Sequence, residues 1–95
     1  MWKIEYEEEA SRELIKLDRQ AARHIKNYLD ERIATDDNPR RFGESLAENL
    51  AGFWKYRIGD YRAIVEIQED NIVVLVVRIE HRSRGYWESR RNSAR

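Results

Sequence analysis

Polar and apolar residues alternate across Trp2-Lys3-Ile4-Glu5-Tyr6, the period-two signature of a strand with one buried face. The period then changes. Ala10, Leu14 and Leu17 recur at helical spacing, which predicts a first helix from about Glu8 to Leu17. Asp18 is a helix-capping residue type, so a second helix is expected from Arg19 to about Ala34. Its apolar face would hold Ala21, Ala22, Ile25, Tyr28, Leu29 and Ile33. Thr35-Asp36-Asp37-Asn38-Pro39 ends it with polar turn formers and a proline that removes a backbone donor.

Residues 40–52 read as a connection anchored by Phe42, Leu46 and Leu50. Three strands follow, at about 53–58, 61–68 and 72–79. The Gly59-Asp60 and Glu69-Asp70-Asn71 turns make them an antiparallel meander. Trp54, Tyr56, Ile58, Tyr61, Ala63, Val65 and Ile67 share the face expected to pack on the helices. Ile72 to Ile79 is apolar on both faces until Arg78, which suits a central strand. The fold class is therefore α+β, in the order β-α-α-β-β-β, with two helices on a small, mainly antiparallel sheet. One domain is expected over residues 1–87. The polar tail 88–95 is expected to be disordered or to fold on a partner.

Charge changes the picture through its distribution. The chain carries eighteen basic and eighteen acidic side chains, for zero net charge. Residues 1–51 hold nine Lys/Arg against twelve Asp/Glu, and residues 52–95 hold nine against six. The helical half is thus acidic and the sheet half basic, and a local patch can attract RNA without a basic average. With no cysteine, a disulfide framework or thiolate metal site is excluded. No apolar run is long enough to span a membrane, and Glu7-Glu8-Glu9 stand where a signal peptide would be apolar. A soluble, cytoplasmic protein is expected.

The basic residues converge on one sheet face. With a two-residue turn at Gly59-Asp60, Arg57 lies opposite Arg62, and Lys55 lies two residues back on the same side. Like charges opposed across a sheet cost roughly 0.2–1 kcal/mol relative to a good pair. A face that gathers three cations is expected to receive an anion, and phosphate is the anion expected. Phe53, Ile64 and Glu66 share this face.

Leu50-Ala51-Gly52-Phe53-Trp54-Lys55-Tyr56-Arg57-Ile58-Gly59-Asp60-Tyr61-Arg62-Ala63-Ile64-Val65-Glu66-Ile67 resembles the central block of the RelE/ParE toxin superfamily. Val77-Arg78-Ile79-Glu80-His81-Arg82-Ser83-Arg84-Gly85-Tyr86 resembles that family's closing strand and its histidine-arginine…tyrosine ending. The likeness spans about residues 1–87. It implies the toxin of a type II toxin–antitoxin pair, acting as a ribosome-dependent, metal-independent mRNA endonuclease in the A site. It also implies a RelB-like antitoxin in a hetero-oligomer, with ribosome and mRNA as further partners, and neither a cofactor nor a membrane. The family's basic active-site positions carry over to Lys55, Arg57, Arg62 and Arg82, and its C-terminal tyrosine to Tyr86. The ParE branch, which poisons DNA gyrase, generally lacks the full basic-plus-tyrosine set.

Metal-free RNA cleavage needs an activated 2′-OH, stabilised charge on the phosphorane and a protonated leaving oxygen. Positioned proton transfer gives typically about 10²–10⁴-fold, and fixed cations supply the charge term. Arg62 and Arg82 suit phosphate because guanidinium presents a planar fork of donors. Arg62 could instead be a strand arginine paired with Glu66 or Asp60. Tyr86 is the candidate base if nearby cations favour phenolate, or else a core-edge or stacking aromatic. Lys55 could contact phosphate, donate a proton or be a solvated lysine, and Arg57 would contribute electrostatically. His81 could protonate the leaving oxygen, or simply be structural at a strand end. Carboxylates are expected to be scarce here, with only Glu66 on the hairpin face, so a glycosidase-type carboxylate pair is disfavoured. Three readings stand: an mRNA endonuclease, a gyrase inhibitor, and a non-catalytic interaction protein favoured by zero net charge.

Overall fold

The computed structural model describes residues 1–46, 52–81 and 83. Strand β1 (Lys3–Tyr6) leads into α1 (Glu8–Lys16) and α2 (Arg19–Tyr28), as the change of period predicts. The Asp18 carboxylate accepts from the Ala21 amide at 2.9 Å, so the expected cap forms. The second helix does not continue as α-helix to Ala34. Its last turn, Leu29–Ile33, is a π turn, closed by the Ala34 amide donating to the Leu29 carbonyl. In an α-helix an i,i+4 stripe drifts around the axis by roughly 40° per step. The wider turn counters that drift, and Ile25, Leu29 and Ile33 are all buried.

A 3₁₀ turn (Pro39–Phe42) and a two-residue strand, β2 (Glu44–Ser45), follow. Strand β2 is a fifth strand that the hydrophobic pattern is too short to reveal. Three longer strands complete the sheet: β3 (Phe53–Ile58), β4 (Tyr61–Gln68) and β5 (Val73–His81). The order is β1-β5-β4-β3-β2, with β1 parallel to β5 and the other pairs antiparallel. The apolar strand is interior, as expected, and begins one residue later. Ile72 belongs to the preceding turn with φ +56°, a left-handed conformation that a β-branched residue adopts only under strain.

The main core lies between helices and sheet, and the predicted face supplies Tyr56, Ile58, Ala63, Val65 and Ile67 to it. Tyr56 is fully buried, and its hydroxyl donates to the Pro39 carbonyl at 2.7 Å, fastening the connection to β3. Gly43 is needed beside it, because a Cβ there would sit 3.0 Å from the Tyr56 ring. Of the expected anchors, Leu46 is buried and joins Ile64 and Val77 in a smaller cluster on the opposite sheet face. Phe42 is not an anchor. It is 39% exposed between the Arg32 and Arg41 guanidiniums, while Pro39, at the start of the same turn, is buried instead. Leu50 and the 88–95 tail lie outside the described residues.

Candidate active site on the cation-bearing sheet face

The Gly59-Asp60 turn has two residues, with Gly59 at φ +60°, the conformation a II′ hairpin needs at its first position. Arg57 pairs with Arg62 and Ile58 with Tyr61, as the sequence predicts. Arg57 is exposed; Lys55 and Arg62 are half-buried. Arg57, Gly59, Tyr61, Arg62 and Ser83 line a cleft of about 380 Å³ at the hairpin tip. A second cleft of about 660 Å³ runs along the end of β5, with Tyr61 and Ser83 lining both.

The cations are not bare. Arg62 lies 3.6 Å from the Glu80 carboxylate, with side chains 12% and 4% exposed respectively. Lys55 lies 3.8 Å from Glu44. The expectation that only Glu66 brings a carboxylate to this face is therefore corrected. Glu44 arrives on the unpredicted β2, directly opposite Lys55. Glu80 arrives through a β-bulge. From Gln68↔Val73 to Val65↔Val76 the β4–β5 register is regular, and it shifts by one residue before Ile64↔Arg78. Without that shift Arg62 would oppose Ile79. With it, Arg62 opposes Glu80, since a one-residue slip exchanges the faces of a strand.

The same stretch of β5 is fixed from the helix layer. The Glu13 carboxylate accepts from Arg78 Nε at 2.9 Å and from the Ile79 amide at 2.8 Å. Strand β1 ends before this level, so α1 covers the β5 edge there with a side chain. His81 closes the strand. Its ring meets Tyr61 edge-on at 5.4 Å. Its Nδ1 accepts from the Ser83 amide at 3.2 Å and lies 2.9 Å from the Ser83 hydroxyl. An accepting Nδ1 makes Nε2 the proton-bearing nitrogen of the neutral ring.

The structure thus brings Lys55, Arg57 and Arg62 together and places His81 at the neighbouring strand end. Arg82 and Tyr86 lie outside the described residues. Burial pushes the hydroxyls of Tyr6, Tyr28 and Tyr56 upward, Tyr6 to about 12, and all three belong to the helix-side core. Among the described residues no group of three His, Asp or Glu converges as a metal site.

Comparison with known proteins agrees with this architecture. The family described as ParE toxin of type II toxin-antitoxin system, parDE, matches residues 4–86. Over 45 residues the chain is 36% identical to Toxin RelG of Mycobacterium tuberculosis, which is 47% of this chain and 52% of that protein. The chain thus matches about half the length of that relative. The toxin–antitoxin complex RelBE2 of M. tuberculosis superposes with a TM-score of 0.77 at 26% identity, covering 86% of this chain and 92% of that one. The intact E. coli RelBE toxin–antitoxin complex gives 0.67 at 17% identity, covering 85% and 96%, a likeness of fold alone. With the family match spanning both helices, the hairpin and the closing strand, the chain belongs to the RelE/ParE superfamily of type II toxin–antitoxin toxins.

Proposed function

We propose that this toxin is a ribosome-dependent, metal-independent endoribonuclease that cleaves mRNA in the A site by attack of the 2′-OH on the adjacent phosphorus. The observation that carries the reading is the convergence of Lys55, Arg57 and Arg62 on one sheet face beside a cleft. Arg57 and Arg62 would hold the non-bridging oxygens and stabilise the charge that grows on the phosphorane. Lys55 would add charge from the next row of the sheet. Arg82 as second clamp and Tyr86 as base are assigned by resemblance. His81 would protonate the leaving oxygen only as the imidazolium, which turns Nδ1 from acceptor to donor and exchanges the Ser83 amide for the Ser83 hydroxyl as its partner. A RelB-like antitoxin would cover the toxin in a cytoplasmic hetero-oligomer, a reading supported by fold neighbours solved as toxin–antitoxin complexes.

A second reading, gyrase inhibition in the manner of ParE, draws support from the family matched and from the carboxylates that neutralise Lys55 and Arg62. Mapping mRNA 5′ ends after brief expression separates the two. The nuclease reading predicts new ends inside translated frames that vanish in Arg57→Ala. DNA damage with translation continuing and no new ends would sink it.

A further inference from the structure

The Arg62–Glu80 pair has the wrong economy for a site whose sole task is to hold phosphate. Arg62 is one of the few groups on this face with a fork matched to phosphate oxygens. The chain nevertheless sets a carboxylate 3.6 Å from it, on a side chain only 4% exposed. That placement depends on the β4–β5 bulge; a regular ladder would have set Ile79 there. Glu44 stands in the same relation to Lys55, at 3.8 Å and largely exposed.

We infer that Glu80 is a resident counter-anion that occupies the phosphate-binding side of Arg62 and weakens the affinity of this face for phosphate. A carboxylate and a phosphodiester both present oxygens to guanidinium, so they compete for the same donors. An incoming phosphate must draw Arg62 away from Glu80, or bind beside a negative charge at close range. Either route opposes binding. Arg57, exposed and on the facing strand, makes the first contact, and Arg62 follows when Glu80 yields it. Glu80 thereby keeps isolated phosphates and stray RNA weakly held, and reserves full engagement of Arg62 for a substrate positioned by further contacts. This role rests on the reading of the face as a phosphate site and regulates that same site.

The test uses the full chain and inorganic phosphate, followed by NMR at fixed ionic strength. Glu80→Gln keeps shape and removes charge. It should bind phosphate about three- to tenfold more tightly, the range expected for one unit charge some 6–8 Å from a phosphate that itself stays in water, at an effective dielectric of about 40–80. Glu31→Gln makes the same change in net charge on the exposed helix side and should leave affinity unchanged. Glu80→Asp draws the carboxylate back and should fall between wild type and Glu80→Gln. In the wild-type protein, needing no variant, phosphate should shift the Glu80 Cδ resonance as Arg62 is withdrawn. Equal or weaker binding by a folded Glu80→Gln overturns the inference, as does a Glu80 signal indifferent to phosphate. The underlying phosphate reading fails separately, if Arg57→Ala and Arg62→Ala leave phosphate binding unchanged.

Discussion

Replacing Arg62 with alanine should destabilise the fold as well as disable the site, and Glu80 is the reason. The two charges lie 3.6 Å apart with little exposure on either side. At an effective dielectric near 20 their attraction is about 4–5 kcal/mol. The net cost of Arg62→Ala is smaller, because arginine's own desolvation disappears with it and Glu80 keeps further contacts. We expect a loss of about 2–3 kcal/mol, below or at the lower end of the range for breaking a fully buried pair. Glu80→Gln, which preserves shape, should cost about 1 kcal/mol. The double variant Arg62→Ala/Glu80→Gln should then be more stable than Arg62→Ala alone, because a neutral amide needs no cation. Urea unfolding followed by tryptophan fluorescence reads this directly. A loss of about 2 kcal/mol moves the midpoint by roughly 1–2 M at the m-values of small domains. If the double variant is no more stable than Arg62→Ala, the coupling assigned to the pair does not exist. The result also governs how toxicity is read. Loss of growth arrest in Arg62→Ala could reflect unfolding, so the informative comparison is made in the Glu80→Gln background, where the fold is spared.

Three further perturbations test the scaffold. Glu13→Ala removes the carboxylate shared by Arg78 and the Ile79 amide, and should cost about 2–3 kcal/mol by urea unfolding, as charged hydrogen bonds on a half-buried edge do. Tyr6→Phe should stabilise by about 1 kcal/mol, because the Tyr6 hydroxyl is buried without a hydrogen-bond partner among the described residues. The same group sets an alkaline limit: burial, and then Asp30, raise its pKa from 10.0 to about 12. Its titration leaves stability unchanged below pH 10 and lowers it as pH rises toward 12, since the unfolded chain gives up the proton first, and Tyr6→Phe should flatten that decline. Ile72→Asn should stabilise by about 0.5–1 kcal/mol, measured as an increase in melting temperature, because asparagine tolerates the φ of +56° and the isoleucine is already half exposed.

The sequence pattern revealed what local periodicity controls. The alternation through Tyr56, Ile58, Ala63 and Val65 predicted the core face, and Asp18 announced its helix. The Gly59-Asp60 turn fixed the hairpin register, so Arg57 opposite Arg62 followed by counting. The misses are of a different physical kind. Strand β2 has two residues, and no periodicity can be read from two. Phe42 reads as an anchor by its apolarity, yet a 3₁₀ turn led by Pro39 carries it outward, where arginines cover its ring. Glu80 was missed because its face depends on the bulge. Counting back from the Glu69-Asp70-Asn71 turn without it turns Glu80 toward the helices and Ile79 toward the cations. A bulge of this kind is not announced by the alternation of either strand, and here Glu13, from the helix layer, holds the strand just beyond the step. What remains of the expected site, Arg82 and Tyr86, is legible by resemblance alone.

Zero net charge weighed against RNA binding at the sequence level, and the structure alters that weight. At physiological ionic strength fields from exposed charges fade over about 8 Å. The acidic residues of α1, the α2 cap Asp18, and Asp30 and Glu31 of the π turn belong to the helix layer across the sheet from the cation face, and most are exposed to solvent. Their contribution to the potential at Arg57 is therefore small, however they affect the sum. Glu44 and Glu80 are different, because they lie within 4 Å of the cations they oppose. Two proteins with the same zero charge would then differ widely in phosphate affinity if one had a regular β4–β5 ladder and the other this bulge. The relevant number for the cation face is local: Lys55, Arg57 and Arg62 against Glu44 and Glu80, with Glu80 the member shielded from water and hence the strongest opponent.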